Sequence, residues 1–259
     1  MTQNLSGKRA IVCGASKGIG RATAIELASQ GASVTLLARN EAALEAVKTS
    51  LAGGGHHVLV ADAADTAGLT AKVSAHVAQH GPIHILVNNS GGPAAGPVNQ
   101  ATSEQLLGAF TQHLLGNHAM MQAVLEGMKA EGYGRIINVI STSVKMPLKG
   151  LGVSNTIRGA VANWAKTLAG EVGGFGITVN NVLPGATDTD RLAEIFEGKA
   201  AKLGKTVEQV VESEKAIIPA GRFGAPEELA SAVAFLASPA AAYINGINVP
   251  VDGGRTGCL

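Results

Sequence analysis

Aromatic residues are scarce in this 259-residue chain, at 3%, and only two residues are Cys. A folded core must therefore be built from Ala, Val, Leu and Ile. Cys13 and Cys258 stand at opposite ends of the sequence, which excludes a disulfide framework and any Cys-based metal motif, and no metal site is predicted. Cys13 lies in an apolar run and is expected to be a small buried hydrophobe rather than a reactive thiol.

Net charge is also nearly absent, at +1, with charged residues at 15% and hydrophobic residues at 46%. This balance argues against nucleic acid or an anionic membrane as a partner. No apolar run is long enough to span a bilayer, and the polar start of the sequence lacks the apolar stretch of a signal peptide. The expectation is a cytoplasmic protein.

Short apolar runs alternate with helical patterns along the whole sequence. The predicted strands are 10–13, 34–38, 58–61, 83–87, 135–140, 177–183 and 247–251. The predicted helices are 18–30, a segment capped by Asn40 that runs through Val47, 67–79, a long helix from Thr102 towards Lys129, 159–172 and 227–237. Strands separated by helices indicate an α/β fold with a Rossmann-type, doubly wound parallel sheet, in a single domain covering 1–259.

A glycine-rich loop follows the first strand and opens the first helix. It reads Gly14-Ala15-Ser16-Lys17-Gly18-Ile19-Gly20. Glycines at these positions permit a tight turn and a close approach of backbone amides to a pyrophosphate, which the helix N-terminus also attracts. The predicted phosphate contacts are therefore Gly14, Ser16, Lys17, Gly18, Ile19 and Gly20.

The end of the second strand indicates which nucleotide is bound. An NAD site usually has a carboxylate there for the ribose 2′-hydroxyl, whereas this chain has Ala38 and then Arg39. Arg39 together with Lys17 would favour a 2′-phosphate through charge-assisted hydrogen bonds, so NADP(H) is the predicted cofactor. The alternative is that Arg39 is a solvated charge at the end of a strand.

With this loop, the chain resembles the short-chain dehydrogenase/reductase family, especially its members similar to 3-oxoacyl-carrier-protein reductases. The resemblance implies adenine contact by Asp62, although Asp62 could instead cap the next segment. The run Asn88-Asn89-Ser90-Gly91 resembles the family's Asn-Asn-Ala-Gly, which assigns Asn89 and Gly91 to the cofactor site. Pro184, Gly185 and Thr189 match the segment that holds the nicotinamide carboxamide.

The resemblance also implies a small carbonyl or alcohol substrate, with an acyl thioester as one option, and a homotetramer. Residues 188–219 interrupt the strand–helix alternation with a charged, weakly apolar helical stretch. They are expected to cover the substrate. The loop 91–97, rich in glycine and proline, either shapes the mouth of the substrate pocket or is an ordinary rigid loop.

The family's chemistry uses a serine on the substrate oxygen, a tyrosine that exchanges the proton and a lysine four residues after the tyrosine. Ser141 matches the serine, but the motif Tyr-x-x-x-Lys is absent. Ungapped counting from residues 176–180 places Ser154 at the tyrosine position and Arg158 at the lysine position. His113 stands where the family has a relay asparagine, one turn before Asn117.

An aliphatic hydroxyl is a much weaker acid than a phenol, so Ser154 is a poor proton donor. We hypothesise that Ser141 positions the carbonyl oxygen, Lys145 supplies the proton and Arg158 supplies positive charge. Lys145 could instead be an exposed loop lysine, and Arg158 could hold the cofactor ribose. His113 is either a proton relay near neutral pH or a packed histidine of the helix.

Two functions remain open at this point. The first is an NADP(H)-dependent oxidoreductase that interconverts a carbonyl and a secondary alcohol with a rearranged proton donor. The second is a non-catalytic NADP(H)-binding sensor or assembly subunit, which the missing tyrosine favours. A Ser–Lys hydrolase built on Ser141 and Lys145 would leave the dinucleotide features without a purpose.

Overall fold

The computed structural model describes residues 4–258. Within this range, seven strands form one sheet of order β3-β2-β1-β4-β5-β6-β7. Every neighbouring pair of strands is parallel. This confirms the predicted Rossmann-type fold. The strands are β1 Arg9–Cys13, β2 Ser33–Ala38, β3 His57–Val60, β4 Ile85–Asn88, β5 Gly134–Val139, β6 Ile177–Pro184 and β7 Asn248–Val251.

Helices cover both faces of the sheet. They are α1 Gly18–Ser29, α2 Glu41–Lys48, α3 Thr66–His80, α4 Ser103–Phe110, α5 Gly116–Ala130, α6 Gly152–Val172, α7 Asp190–Leu203, α8 Val207–Lys215 and α9 Pro226–Ala237. Buried aliphatic residues of α1, α2 and α9 pack on one face, and those of α3, α5 and α6 pack on the other. Both cores consist mainly of Ala, Val, Leu and Ile, with three methionines of α5 in the second, as the shortage of aromatic residues requires.

The strand order reverses between β1 and β4, because β2 and β3 lie on one side of β1 and the remaining strands lie on the other. In open α/β sheets, ligands bind in the crevice at the carboxyl ends of the strands at such a reversal. The glycine-rich loop follows β1 and the segment Asn89–Gly91 follows β4, so both lie at this crevice.

The prediction that a helix begins at Gly159 is wrong, because α6 begins at Gly152. Val153 and Ile157 are buried and continue the apolar spacing of Val161, which extends the helix by two turns at its N-terminus. Ser154 and Arg158 therefore lie within α6, one helical turn apart on the same face.

Other differences are small. The long helix predicted from Thr102 begins with the expected capping box between Thr102 and Gln105, but a π-helical turn at Thr111–Leu115 separates α4 from α5. Strand limits differ from the predicted ones by one or two residues at most ends, which is the usual uncertainty of an element boundary. Within residues 4–258, no helix is both long enough and apolar enough to cross a bilayer.

Candidate active site

The glycines of the loop after β1 are required by its geometry. Gly14 and Gly18 have φ values of +61° and +55°, a region that favours glycine. At Gly20, a Cβ atom would collide with the carbonyl oxygen of Gly14 and lie 2.8 Å from Nδ2 of Asn89. The start of α1 is therefore packed directly against the turn that precedes it.

The N-terminus of α1 suits an anion such as a pyrophosphate. Its N-cap residue, Lys17, makes no side-chain cap, and the first turn contains no acidic residue. Amides at a helix start that no side chain caps carry partial positive charge and can donate to a ligand. The residues present therefore fit a dinucleotide pyrophosphate.

Asn89 joins this loop to the end of β4. Its Nδ2 donates to the carbonyl oxygen of Cys13 at 3.2 Å and approaches that of Gly14 at 3.5 Å. A Cβ atom at Gly18 would lie 3.3 Å from Cγ2 of Thr189, so the segment after β6 also packs against the loop. The predicted residues Gly14, Gly18, Asn89 and Thr189 thus meet around one loop.

The two cations proposed for the 2′-phosphate have separate carboxylate partners. Nζ of Lys17 lies 3.6 Å from Asp190, and NH1 of Arg39 lies 3.9 Å from Asp62. All four side chains are largely exposed, so these pairs contribute little to stability and leave the cations available to a ligand. Asp62 also accepts from the amide of Ala64 at 3.0 Å, but the N-cap of α3 is Asp65, so the alternative that Asp62 caps the following helix is wrong.

A ladder of asparagine side chains crosses the sheet beneath the crevice. Asn88 donates to Asn138, Asn138 donates to Asn181 and Asn181 donates to Asn248, with distances of 2.8–2.9 Å between Nδ2 and Oδ1. These residues are in register on β4 to β7. The ladder ties the strand ends that carry the site into one unit.

Ser141 follows β5 and caps a 3₁₀ turn at Thr142–Val144. Its Oγ accepts a hydrogen bond from the amide of Ser143 at 3.1 Å, which leaves the hydroxyl proton free to donate. Lys145 ends this turn and is half-buried, and its carbonyl oxygen accepts from the thiol of Cys258 at 3.7 Å. Asn155 of α6 then holds the rest of the loop by donating to the carbonyl oxygen of Leu148 at 2.8 Å.

Arg158 is 7% exposed and bonds to backbone alone. It donates to the carbonyl oxygens of Val139 at 3.3 Å and Ser90 at 3.4 Å. Burial lowers the pKa of Arg158 to about 10, so the guanidinium is charged at neutral pH. It therefore places a permanent positive charge beside the strand ends of β4 and β5.

His113 lies on the π-helical turn and is 1% exposed. Its Nδ1 lies 2.7 Å from Oγ of Ser90, while its Nε2 is buried without a hydrogen-bond partner among the described residues. Burial and then the charge of Arg158 lower the pKa of His113 to about 3. His113 is therefore neutral at physiological pH, which disfavours the interpretation as a group that titrates near pH 7.

Comparison with known proteins identifies the family to which the chain belongs. A family model described as enoyl-(acyl carrier protein) reductase matches residues 14–256. The 3-oxoacyl-[acyl-carrier-protein] reductase of Vibrio harveyi is 36% identical over 252 residues, covering 97% of this chain and 98% of that protein. The chain belongs to the short-chain dehydrogenase/reductase family.

Other members of the short-chain dehydrogenase/reductase family act on polyols and sugars. The D-threitol dehydrogenase of Mycolicibacterium smegmatis is 34% identical over 254 residues, covering 97% of this chain and 94% of that protein. The L-sorbose reductase of Gluconobacter frateurii, solved with NADPH and L-sorbose, has a TM-score of 0.91 at 30% identity, with 100% of both chains covered.

Neither tyrosine of this short-chain dehydrogenase/reductase lies at the candidate site. Tyr133 precedes β5, at the opposite end of the strand from Ser141, and its hydroxyl donates to the carbonyl oxygen of Ala237 at 2.6 Å. Tyr243 is fully exposed between α9 and β7. The proton donor of the usual family reaction is therefore not replaced by a tyrosine from elsewhere in the chain.

The remaining predicted residues have simple environments. Gly185 follows β6, and a Cβ atom there would lie 2.6 Å from Cβ of Asp252, so the close approach of two backbones requires glycine. Pro184 ends β6, and Gly91 lies in open space after β4.

Sequence reasoning missed three contributors to this region. Ser90 binds both His113 and Arg158, and Asn155 anchors the loop that carries Lys145. Arg191 at the start of α7 reaches across to the carbonyl oxygen of Pro93 at 3.3 Å. Apart from the contact of Asn155, whose partner Leu148 is only seven residues away, these contacts join segments far apart in sequence, so no local pattern could reveal them.

Proposed function

We propose that this protein is an NADP(H)-dependent oxidoreductase that interconverts a carbonyl group and a secondary alcohol. The observation that carries the proposal is the glycine cradle at α1, held by Asn89 to the end of β4 on the sheet edge where Ser141 follows β5. The L-sorbose reductase with the same fold was solved with NADPH, which supports the choice of nucleotide.

The residues proposed to hold the cofactor are assigned by region. The loop and the start of α1 would bind the pyrophosphate, Arg39 the 2′-phosphate and Asp62 the adenine. The segments after β4 and β6 would bind the nicotinamide half. The full set is Gly14, Ser16, Lys17, Gly18, Ile19, Gly20, Arg39, Asp62, Asn89, Gly91, Pro184, Gly185 and Thr189.

The cofactor, when bound, supplies or accepts the hydride, and the chain supplies the polar environment. In the direction of reduction, Ser141 donates a hydrogen bond to the carbonyl oxygen and Arg158 supplies positive charge beside the reacting group. Lys145 donates the proton, since Ser154 is too weak an acid. Ser154 precedes Arg158 by one turn of α6.

Residues 188–219 are proposed to cover the substrate. Their helices α7 and α8 pack through Phe196, Ala200 and Val210, and Arg191 contacts the loop after β4. A homotetramer is proposed on the family resemblance, with exposed apolar side chains such as Leu107 and Phe175 available for an interface.

The assignment of Lys145 is tested with the variant Lys145→Met. Turnover should fall about 10²–10⁴-fold while NADPH binding stays within about twofold, because a general acid acts on the barrier rather than on the cofactor. Lys149→Met, an exposed lysine of the same loop, is the matched control and should retain turnover. Undiminished turnover in Lys145→Met would remove Lys145 from the mechanism.

A second candidate function is an NADP(H)-binding sensor or assembly subunit without turnover. The observation that favours it is the location of Tyr133 and Tyr243 away from the site. Tight NADPH binding without oxidation by any carbonyl compound would support this function.

A further inference from the structure

Arg158 carries a buried charge that nothing in the described chain neutralises. Its hydrogen bonds at 3.3 and 3.4 Å go to two backbone carbonyl oxygens, and no carboxylate from residues 4–258 forms an ion pair with it. A guanidinium has five N–H donors, so these bonds leave several unused. A buried cation without a counter-charge costs several kcal/mol, which a bound anion would recover.

The groups around Arg158 do not supply that anion. His113 is neutral and leaves its buried Nε2 without a partner, and Lys145 adds a second cation on the loop after β5. The acids Asp190 and Glu194 of α7 already pair with Lys17 and Arg191 at 3.6 and 3.3 Å. Asp188, before α7, is exposed to solvent.

The residue that precedes Arg158 by one turn on the same face of α6 is small. Ser154 precedes Arg158 by one turn on the same face of α6, is half-buried, and has a side chain of only two heavy atoms. Val139, which accepts one hydrogen bond from Arg158, stands two residues before Ser141. A group bound between Ser141 and Ser154 would therefore lie beside Arg158.

We propose that the substrate is an oxo acid, whose carboxylate pairs with Arg158 while its carbonyl oxygen accepts a hydrogen bond from Ser141. The inference rests on the proposed oxidoreductase function and names its substrate class. A planar guanidinium matches a carboxylate through two parallel hydrogen bonds. In the reaction, hydride from NADPH adds to the carbonyl carbon, the proton from Lys145 goes to the carbonyl oxygen, and the products are a hydroxy acid and NADP⁺. The carboxylate is unchanged.

The test compares short 2-oxo and 3-oxo acids with their methyl esters, which keep the carbonyl group and lose the charge. For the wild-type protein we expect kcat/KM for the better acid to exceed that of its ester by on the order of 10–100-fold, the range for a charge-assisted hydrogen bond. Arg158→Gln should bring this ratio close to one, Arg158→Lys should restore part of it, and Lys149→Met should leave it unchanged.

Each outcome of this test supports or overturns a named part of the proposal. Esters reduced as well as acids by the wild-type protein would overturn the substrate class and leave the oxidoreductase function intact. A ratio that survives in Arg158→Gln, with only the Kd for NADPH raised, would show that Arg158 serves the cofactor. NADPH binding without oxidation by any acid or ester would overturn both proposals. If Arg158→Gln does not fold, the acid-to-ester ratio of the wild-type protein still decides the substrate class.

Discussion

Adding a single methyl group at Gly20 should weaken nucleotide binding in a protein that still folds. The added Cβ atom would collide with the carbonyl oxygen of Gly14 and lie 2.8 Å from Nδ2 of Asn89. Gly14 belongs to the loop proposed to hold the pyrophosphate, and Asn89 joins that loop to the end of β4. The variant Gly20→Ala must therefore move either the turn or the first turn of α1.

The size of the effect follows from the cost of overpacking. Inserting a methyl group into a tightly packed site costs about 1–3 kcal/mol. If that distortion falls on the phosphate loop, the Kd for NADPH rises by a factor of about 5–150. We expect the melting temperature to fall by about 2–4 °C per kcal/mol for a domain of this size. Titration by NADPH fluorescence and a thermal melt measure the two quantities.

Gly170→Ala is the matched control. Gly170 is an exposed residue within α6, and a Cβ atom there meets no atom within 4 Å. Alanine is the better helix former by about 0.5–1 kcal/mol, so this variant should be slightly more stable and should bind NADPH normally. Wild-type affinity in Gly20→Ala would refute the reasoning, because the loop would then not be the phosphate site.

Three further predictions concern residues away from the phosphate loop. Tyr133→Phe removes the partly buried hydrogen bond to the carbonyl oxygen of Ala237 and should lower the free energy of unfolding by about 1–2 kcal/mol in denaturant titrations, whereas Tyr243→Phe should not change it. Both variants should retain turnover, since neither tyrosine is the acid. Asn138→Leu leaves the buried amides of its neighbours in the asparagine ladder without partners, at about 1–3 kcal/mol each, which the same titrations measure. Burial, followed by the charges of His80 and His57, lowers the pKa of His76 to about 4, so the unfolded state binds more protons below pH 6.5. Stability should therefore be lost as the pH falls from about 6.5 to 4, by up to about 3 kcal/mol from this group, and His76→Gln should lose that part of the dependence.

Each of these has a result that contradicts it. Loss of turnover in a Tyr133→Phe variant that remains folded would make that tyrosine part of the chemistry. An unchanged unfolding midpoint in Asn138→Leu would mean that the ladder contributes no net stability. A wild-type pH dependence in His76→Gln would assign the titration to other groups, such as His57, whose pKa is also lowered by burial.

The parts of the site that sequence could predict are those set by local geometry. The positive φ values of Gly14 and Gly18 belong to a strand–turn–helix unit of consecutive residues, so spacing alone identifies them. The sequence pattern places the start of α6 too late, because Gly152, Ser154 and Asn155 dilute the apolar signal. Val153 and Ile157 nonetheless continue it, and the contacts that bury them come from α4 and its neighbours.

The properties of the site that the sequence could not predict depend on contacts between residues far apart in the chain. The environment of Arg158 is set by Ser90 and Val139, which lie 68 and 19 residues away in the chain. The fall in the pKa of His113 requires burial against α6 as well as the charge of Arg158. These properties arise only when β4, β5 and α6 come together, so no motif in a single segment carries them.

The most direct test of the central claim is a fluorescence titration of the purified protein with NADPH and NADH, followed in the same cuvette by oxo acids, β-ketoacyl thioesters and diketones. The account predicts tighter binding of NADPH than of NADH, and oxidation of NADPH that depends on a carbonyl substrate. Failure to bind either nucleotide would contradict the account at its first step. Binding without oxidation by any carbonyl compound would contradict the proposed oxidoreductase function.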